Sequence, residues 1–222
     1  MTSFTLTGQY GGGVELQEVN PWVTRPTQAV SPVQGAIPQS VVTHAGPTRP
    51  QPNAVDAPDT GLPTFPVSAS RDVAPPSWWW VGCHGGAGAS TLATALAHTN
   101  AADAHGRWPA PQRPDLARVV VVARTHFHGL TMAQAAARQW ASGSTPEGVE
   151  VLGLVLVIDA PGKLPKPLRE FAHLVSGGFP RVWEIPWVEE FRCGAPPAPQ
   201  HPAFRRIEQD LSRVVSGGTP HA

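Results

Sequence analysis

The 222 residues carry 16 Lys and Arg against 16 Asp and Glu, so formal net charge is zero, and charged residues are only 14% of the chain. That balance argues against a strongly basic nucleic-acid binder or a polybasic membrane-surface protein. Two cysteines, Cys83 and Cys193, are too few for a disulfide framework. No run of about 20 apolar residues is available to span a bilayer, and no basic start precedes an apolar core as in a signal peptide. A cytoplasmic protein is therefore expected.

Residues 1–76 are rich in Pro, Gly, Thr, Gln and Ser, with few charges and no sustained periodicity. This predicts a disordered arm with polyproline II character around 46–52. Its short apolar runs, 14–19 with Trp22 and 64–67, are the segments that would dock on a partner or on the domain; a plain solvated tail is the simpler alternative. The folded domain is expected over 77–193. Trp78–Val81 reads as the first buried strand, followed by a glycine-rich loop and an Ala- and Leu-rich helix over 89–98. The stretch 100–117, with Gly106, Pro109, Pro111 and Pro114, reads as a long connection.

The run 118–124 contains four consecutive valines and predicts a strand buried on both faces. A helix is expected over 131–141 with Thr131 as its cap, then a buried strand over 150–158. A second helix over 166–176 starts after Pro165 or Pro167 and stops at Gly177-Gly178. The last strand is expected over 181–185. The tail 194–222 is Pro-rich at first, then amphipathic over 202–215, with Phe204, Ile207, Leu211 and Val214 on one face. Strands alternating with helices predict an α/β fold, a small parallel sheet flanked by helices. Trp78, Trp79, Trp80, Trp183 and Trp187 lie on or beside strands and are expected to pack in the core or at its edge.

Residues 78–91, Trp-Trp-Trp-Val-Gly-Cys-His-Gly-Gly-Ala-Gly-Ala-Ser-Thr, have the layout of a phosphate-binding P-loop: strand, glycine turn, helix start. Gly85, Gly86 and Gly88 let the backbone aim several amide N–H groups at one point. Ser90 and Thr91 offer hydroxyls to Mg²⁺ or a phosphate. The position before Ser90, where such a loop carries lysine, is Ala89. Losing one desolvated cation–phosphate contact costs about 2–5 kcal/mol, enough to take a micromolar ligand to roughly millimolar. Weak or absent nucleotide binding is the expectation.

The loop resembles the deviant P-loop of the ParA/MinD family, Gly-Lys-Gly-Gly-x-Gly-Lys-Thr-Thr. Cys83 stands for the first glycine and His84 for the signature lysine, Gly85, Gly86 and Gly88 match, Ala89 replaces the second lysine, and Ser90 and Thr91 match the hydroxyl pair. The resemblance continues to about Arg192, through the strand and helix of 118–141, the strand of 151–158 and the segment Glu184-Ile185-Pro186-Trp187. The Pro-rich stretch before 118 leaves no room for the family's second strand, catalytic aspartate and Walker B strand, so this would be a contracted member. The Trp-rich start of the loop is also similar to uncharacterised proteins of actinobacterial conjugative elements. The resemblance implies a P-loop NTPase-like fold that has lost the lysines on which the family's hydrolysis depends.

Around the loop, Arg124 follows the valine strand and is a candidate to replace the lost charge on a phosphate; Lys163 is a weaker one. Asp159, in Asp-Ala-Pro-Gly after an apolar strand, has three readings: a strand-end turn, a contact to the nucleotide base, or a Mg²⁺ contact shared with Ser90. Cys83, His84, His126 and His128 offer metal-ligand chemistry, but their spacing matches no zinc pattern. The combined expectation is an accessory or regulatory protein with weak or lost binding of ATP or GTP with Mg²⁺, serving DNA transfer or maintenance of a mobile element. It would act through a protein partner held by the arm or the domain, with homodimerisation open. The alternatives are an active NTPase with a non-lysine loop and a purely structural interaction module.

Overall fold

The computed structural model describes residues 43–44, 46–67, 74–193 and 201–217. Its centre is the valine run. Strand β6 (Ala117–Arg124) buries both faces: Val119, Val121 and Ala123 join one apolar cluster, Val120 and Val122 the other. With neither face solvated, this strand must be central, as a parallel sheet requires.

In chain order the strands are β1 (Thr43–His44), β2 (Thr64–Pro66), β3 (Trp79–Gly82), β4 (Ala102–Asp103), β5 (Trp108–Ala110), β6, β7 (Val149–Val157) and β8 (Arg181–Ile185). The main sheet has the order β1-β8-β7-β6-β3-β4. The pairs β3–β4, β3–β6, β6–β7 and β7–β8 are parallel, and β1 adds an antiparallel edge, with Thr43 opposite Val182. Strands β2 and β5 form a separate parallel pair.

Helices α2 (Phe127–Ala141) and α3 (Lys166–Ser176) supply Leu130, Ala133, Trp140, Ala172 and Val175 to the cluster on one face. Helices α1 (Ala89–Ala95) and α5 (Pro202–Gly217) supply Leu92, Ala95, Phe204, Ile207 and Leu211 to the other. A four-residue helix, α4 (Glu189–Arg192), follows β8. From β3 the chain steps one way to β4 and later the other way through β6, β7 and β8. The direction therefore reverses between β3 and β6, the position at which open α/β sheets bind ligands beyond their strand ends.

Several expectations are corrected. The disordered arm over 1–76 does not hold for residues 43–44 and 46–67: β1 pairs with the sheet, the run 64–67 contributes β2, and Leu62 is buried. The reason is a polar clamp. Gln139 of α2 accepts hydrogen bonds from the Leu62 N–H and the Trp108 Nε1–H, both at 2.8 Å, and donates to the Leu62 carbonyl at 3.0 Å. Residues 14–19 and Trp22 lie outside the described residues, as does 194–200. The connection over 100–117 contains β4 and β5. Helix α2 starts four residues before the expected cap, because His126 Nδ1 accepts the Gly129 N–H at 2.9 Å and caps it; Thr131 lies inside, its hydroxyl donating to the Phe127 carbonyl. Of the tryptophans, Trp78, Trp80 and Trp183 are buried and Trp79 and Trp187 half-buried. No helix among the described residues is long and apolar enough to cross a membrane.

Candidate functional site

The turn from β3 to α1 sits on one side of the reversal point and the end of β6 on the other. Gly86 (φ 76°) and Gly88 (φ 104°) hold backbone conformations that an L side chain rarely adopts. Gly88 is the N-cap of α1 and offers no side chain, so the first-turn amides, which a helix leaves without internal partners, receive no side-chain cap.

Two clefts meet here. One, of about 470 Å³, lies over the loop and is walled by residues 82–91 together with Leu62, Asp103, His105, Gly106 and Arg124. The other, of about 330 Å³, is lined about equally by polar and apolar surface and runs past Ile185, Pro186, Trp187, Val188, Phe191 and Arg192. Gly88, Thr91 and Arg124 line both, so the two are adjacent. Arg192 lies over the Trp187 ring at 5.5 Å, and Trp187 Nε1 donates to Glu189.

Ser90 Oγ donates to Asp103 Oδ2 at 2.6 Å, and the other oxygen of Asp103 accepts the His105 N–H at 2.8 Å. His105 adopts φ 51° and its Nδ1 lies 3.5 Å from Asp103. Reading the sequence missed Asp103 and His105. The only signals were an aspartate after two alanines and a His-Gly turn, in a stretch dominated by prolines.

Arg124 bridges two elements. Its Nε donates to the Gly86 carbonyl at 2.8 Å and its Nη1 to Asp159 Oδ1 at 3.2 Å. Of the expected site residues, Gly85, Gly86, Gly88, Ala89, Ser90, Thr91 and Arg124 are thus brought together around one cleft. Asp159 joins them only through Arg124, its own amide donating to Thr125 Oγ1. Ser90 and Asp159 sit in two separate pairs, Ser90–Asp103 and Arg124–Asp159. Lys163 is exposed and lies in the wall of neither cleft.

His84 tethers the loop to β6. Its Nε2 accepts the Arg124 N–H at 3.2 Å, which leaves Nδ1 to donate to the Gly85 carbonyl at 2.9 Å. Only the neutral ring can make both bonds. Gly129 permits this approach, because a Cβ there would come within 2.3 Å of the Arg124 carbonyl and 2.9 Å of His84 Nε2. Burial lowers the His84 pKa from its ordinary value, and the neighbouring His126, His128 and Arg124 lower it further, against an opposing contribution from the Gly85 hydrogen bond. The rings of His84, His126 and His128 lie 5.0–6.3 Å apart. No group of three or more His, Cys, Asp or Glu among the described residues is arranged to hold a metal. Cys83 points into the core, where burial pushes its thiol pKa far up.

Fold and site together define an α/β protein with a glycine loop at the reversal point of a parallel sheet and an acid–hydroxyl pair beside it. Residues 76–206 match the model of a family of unknown function (DUF6668), and the chain belongs to that family. No curated protein and no solved structure matches the chain.

Proposed function

We propose that this is a degenerate ParA/MinD-like P-loop protein that binds a nucleotide weakly and does not turn it over, acting as an accessory or regulatory protein. The observation that carries the reading is the pair of adjacent clefts at the reversal point: one walled by the glycine loop and Arg124, and one whose wall includes Trp187, Phe191 and Phe204. Loop amides would take the phosphate, and Trp187 and Phe191 would face the base. The Ser90 hydroxyl and Asp103 carboxylate form an oxygen pair of the kind Mg²⁺ accepts while keeping its waters; the ion would supply positive charge beside the phosphate.

Absence of turnover follows from charge. Catalysis of phosphoryl transfer is mostly electrostatic and needs cations on the migrating group. Ala89 supplies none, and Arg124 is already engaged by Asp159 and the Gly86 carbonyl, so Mg²⁺ would act without a side-chain cation to help it. An active NTPase is the second reading, favoured by the Ser90–Asp103 contact; phosphate release that is lost in Asp103→Asn would establish it. A protein partner and a role in DNA transfer or maintenance of a mobile element complete the proposal, on sequence resemblance alone. The direct test is calorimetry of the full chain with ATP and GTP, each with Mg²⁺, to millimolar concentrations. Heat that disappears in Gly88→Arg supports the loop as the site; no heat from either refutes binding of nucleoside triphosphates.

A further inference from the structure

We infer that the hydrogen bond from Arg124 to His84 is a proton-operated latch, which acid opens to release the glycine loop from the end of β6 while the sheet stays intact. The latch sits where the pairing of β3 with β6 runs out. Trp79 to Gly82 pair with Val119 to Val122, and the Cys83 N–H still reaches the Val122 carbonyl at 2.9 Å. The next β6 amide on that edge is Arg124, and it meets an imidazole, His84 Nε2, at 3.2 Å. Thr125, one residue on, faces the other way and donates to the Val157 carbonyl at 3.1 Å. A carbonyl in the place of His84 would accept at any pH, whereas a ring nitrogen accepts only while it is unprotonated. Gly129 makes room for the ring, since a Cβ there would come within 2.9 Å of His84 Nε2. The latch does not depend on whether the loop binds a nucleotide.

The surroundings make this ring costly to charge where it stands. Protonated His84 would set an N–H against the Arg124 N–H, with no lone pair left to receive it. Burial opposes the charge most, and His126 and His128 of α2 and Arg124 of β6 oppose it further, against a contribution from the Gly85 carbonyl that favours it. His126 carries a second bond of the same kind, its Nδ1 accepting the Gly129 N–H at 2.9 Å, and its ring lies 5.0 Å from that of His84. Nearby anions do not answer the charge. Asp159 is held by Arg124, and Asp103, in the wall of the same cleft, is taken up by Ser90 and His105. Cys83 is buried with its thiol pKa pushed far up. Among the described residues the histidine ion pairs are His98–Glu208 and His105–Asp103, and none involves His84, His126 or His128. The latch is therefore complete above the ordinary imidazole value of 6.5 and is lost as pH falls through the lowered value of His84. A charged ring has space to enter, because His84 lines the 470 Å³ cleft. Its departure leaves the Arg124 Nε bond to the Gly86 carbonyl, at 2.8 Å, to hold the loop.

The test is amide hydrogen exchange of the full chain by NMR from about pH 8 to about pH 4.5, across the imidazole range, with the histidine rings titrated in the same samples. The Arg124 amide should lose protection by about tenfold per pH unit below the His84 midpoint, the slope of one proton. The Cys83 and Thr125 amides, which donate to backbone carbonyls, should keep theirs. His84→Gln, whose side-chain oxygen accepts without titrating, should hold the Arg124 amide throughout. His126→Asn keeps an oxygen for the Gly129 N–H and removes a neighbouring ring, so it should move the His84 midpoint up toward 6.5. Loss of protection at Arg124, Cys83 and Thr125 together is acid unfolding and overturns the latch. So does an Arg124 amide that stays protected down to about pH 4.5, whether or not His84 takes its proton, and so does a pH dependence that survives in a folded His84→Gln protein. Should His84→Gln fail to fold, a His84 midpoint unmoved in His126→Asn overturns it instead.

Discussion

Replacing Gln139 by leucine should undo the docking of residues 46–67 and, through it, one wall of the loop cleft. Gln139 is 9% exposed and its amide makes three hydrogen bonds, to the Leu62 N–H, the Leu62 carbonyl and the Trp108 indole. Leucine fills most of the volume and answers none of them. Each buried group left without a partner costs about 1–3 kcal/mol. The full sum is not reached, because the segment at Leu62 can peel away and let water satisfy its groups. The remaining cost is the buried Trp108 indole and the lost packing of Leu62, about 2–4 kcal/mol in all. At about 2–4 °C per kcal/mol for a domain of this size, thermal unfolding should fall by roughly 5–15 °C. Hydrogen exchange at the Leu62 amide should rise while that of the β6 amides holds. Because Leu62 lines the loop cleft, nucleotide affinity should fall as well. A Gln139→Leu protein within about 0.5 kcal/mol of the parent, with the Leu62 amide still protected, would refute the clamp.

Asp159→Asn should free Arg124 for a phosphate and raise nucleotide affinity about threefold to tenfold; stability should change by under about 1 kcal/mol, since both partners are more than one-third exposed. Loss of binding in that variant would return Asp159 to the ligand-contact roles considered for it from the sequence. His84 is held neutral with a pKa below its ordinary 6.5, so the folded state binds fewer protons than the unfolded one between those values. Its contribution is present above pH 6.5 and is lost as pH falls through the lowered value. His84→Gln should flatten the pH dependence of stability on the acid side of 6.5, and NMR should show the His84 ring titrating below 6.5. Native protein should react with a thiol reagent at exposed Cys193 and not at buried Cys83; two equally fast thiols would contradict the packing of β3.

What could be read from the residues follows from how local each signal is. The valine run of β6 and the Ala-rich start of α1 declare themselves because burial on both faces and a glycine turn each need a run of one residue type. The loop residues were legible for the same reason. Strand β4 was not: two residues long, it exists because Trp79 and Trp80 pair with it, and nothing in Ala-Asp alone predicts a strand. Asp103 was hidden with it, so its place opposite Ser90 went to Asp159 by default. His126 is an uncommon cap, and Gln139 holds a segment 77 residues away. That partnership is tertiary and leaves no mark in local composition, and the segment's prolines read as disorder.

The central claim is that the glycine loop is a weak nucleotide site without its lysine. The most direct measurement is calorimetric titration of the full chain with AMP, GMP, ATP and GTP to millimolar concentrations, beside Gly88→Arg. A side chain at Gly88 would be strained at φ 104° and would stand in the wall of both clefts. The account predicts heat from at least one nucleotide, with a dissociation constant of about 0.1–10 mM, and none in the variant. Silence from all four nucleotides, or heat that persists unchanged in Gly88→Arg, would contradict it.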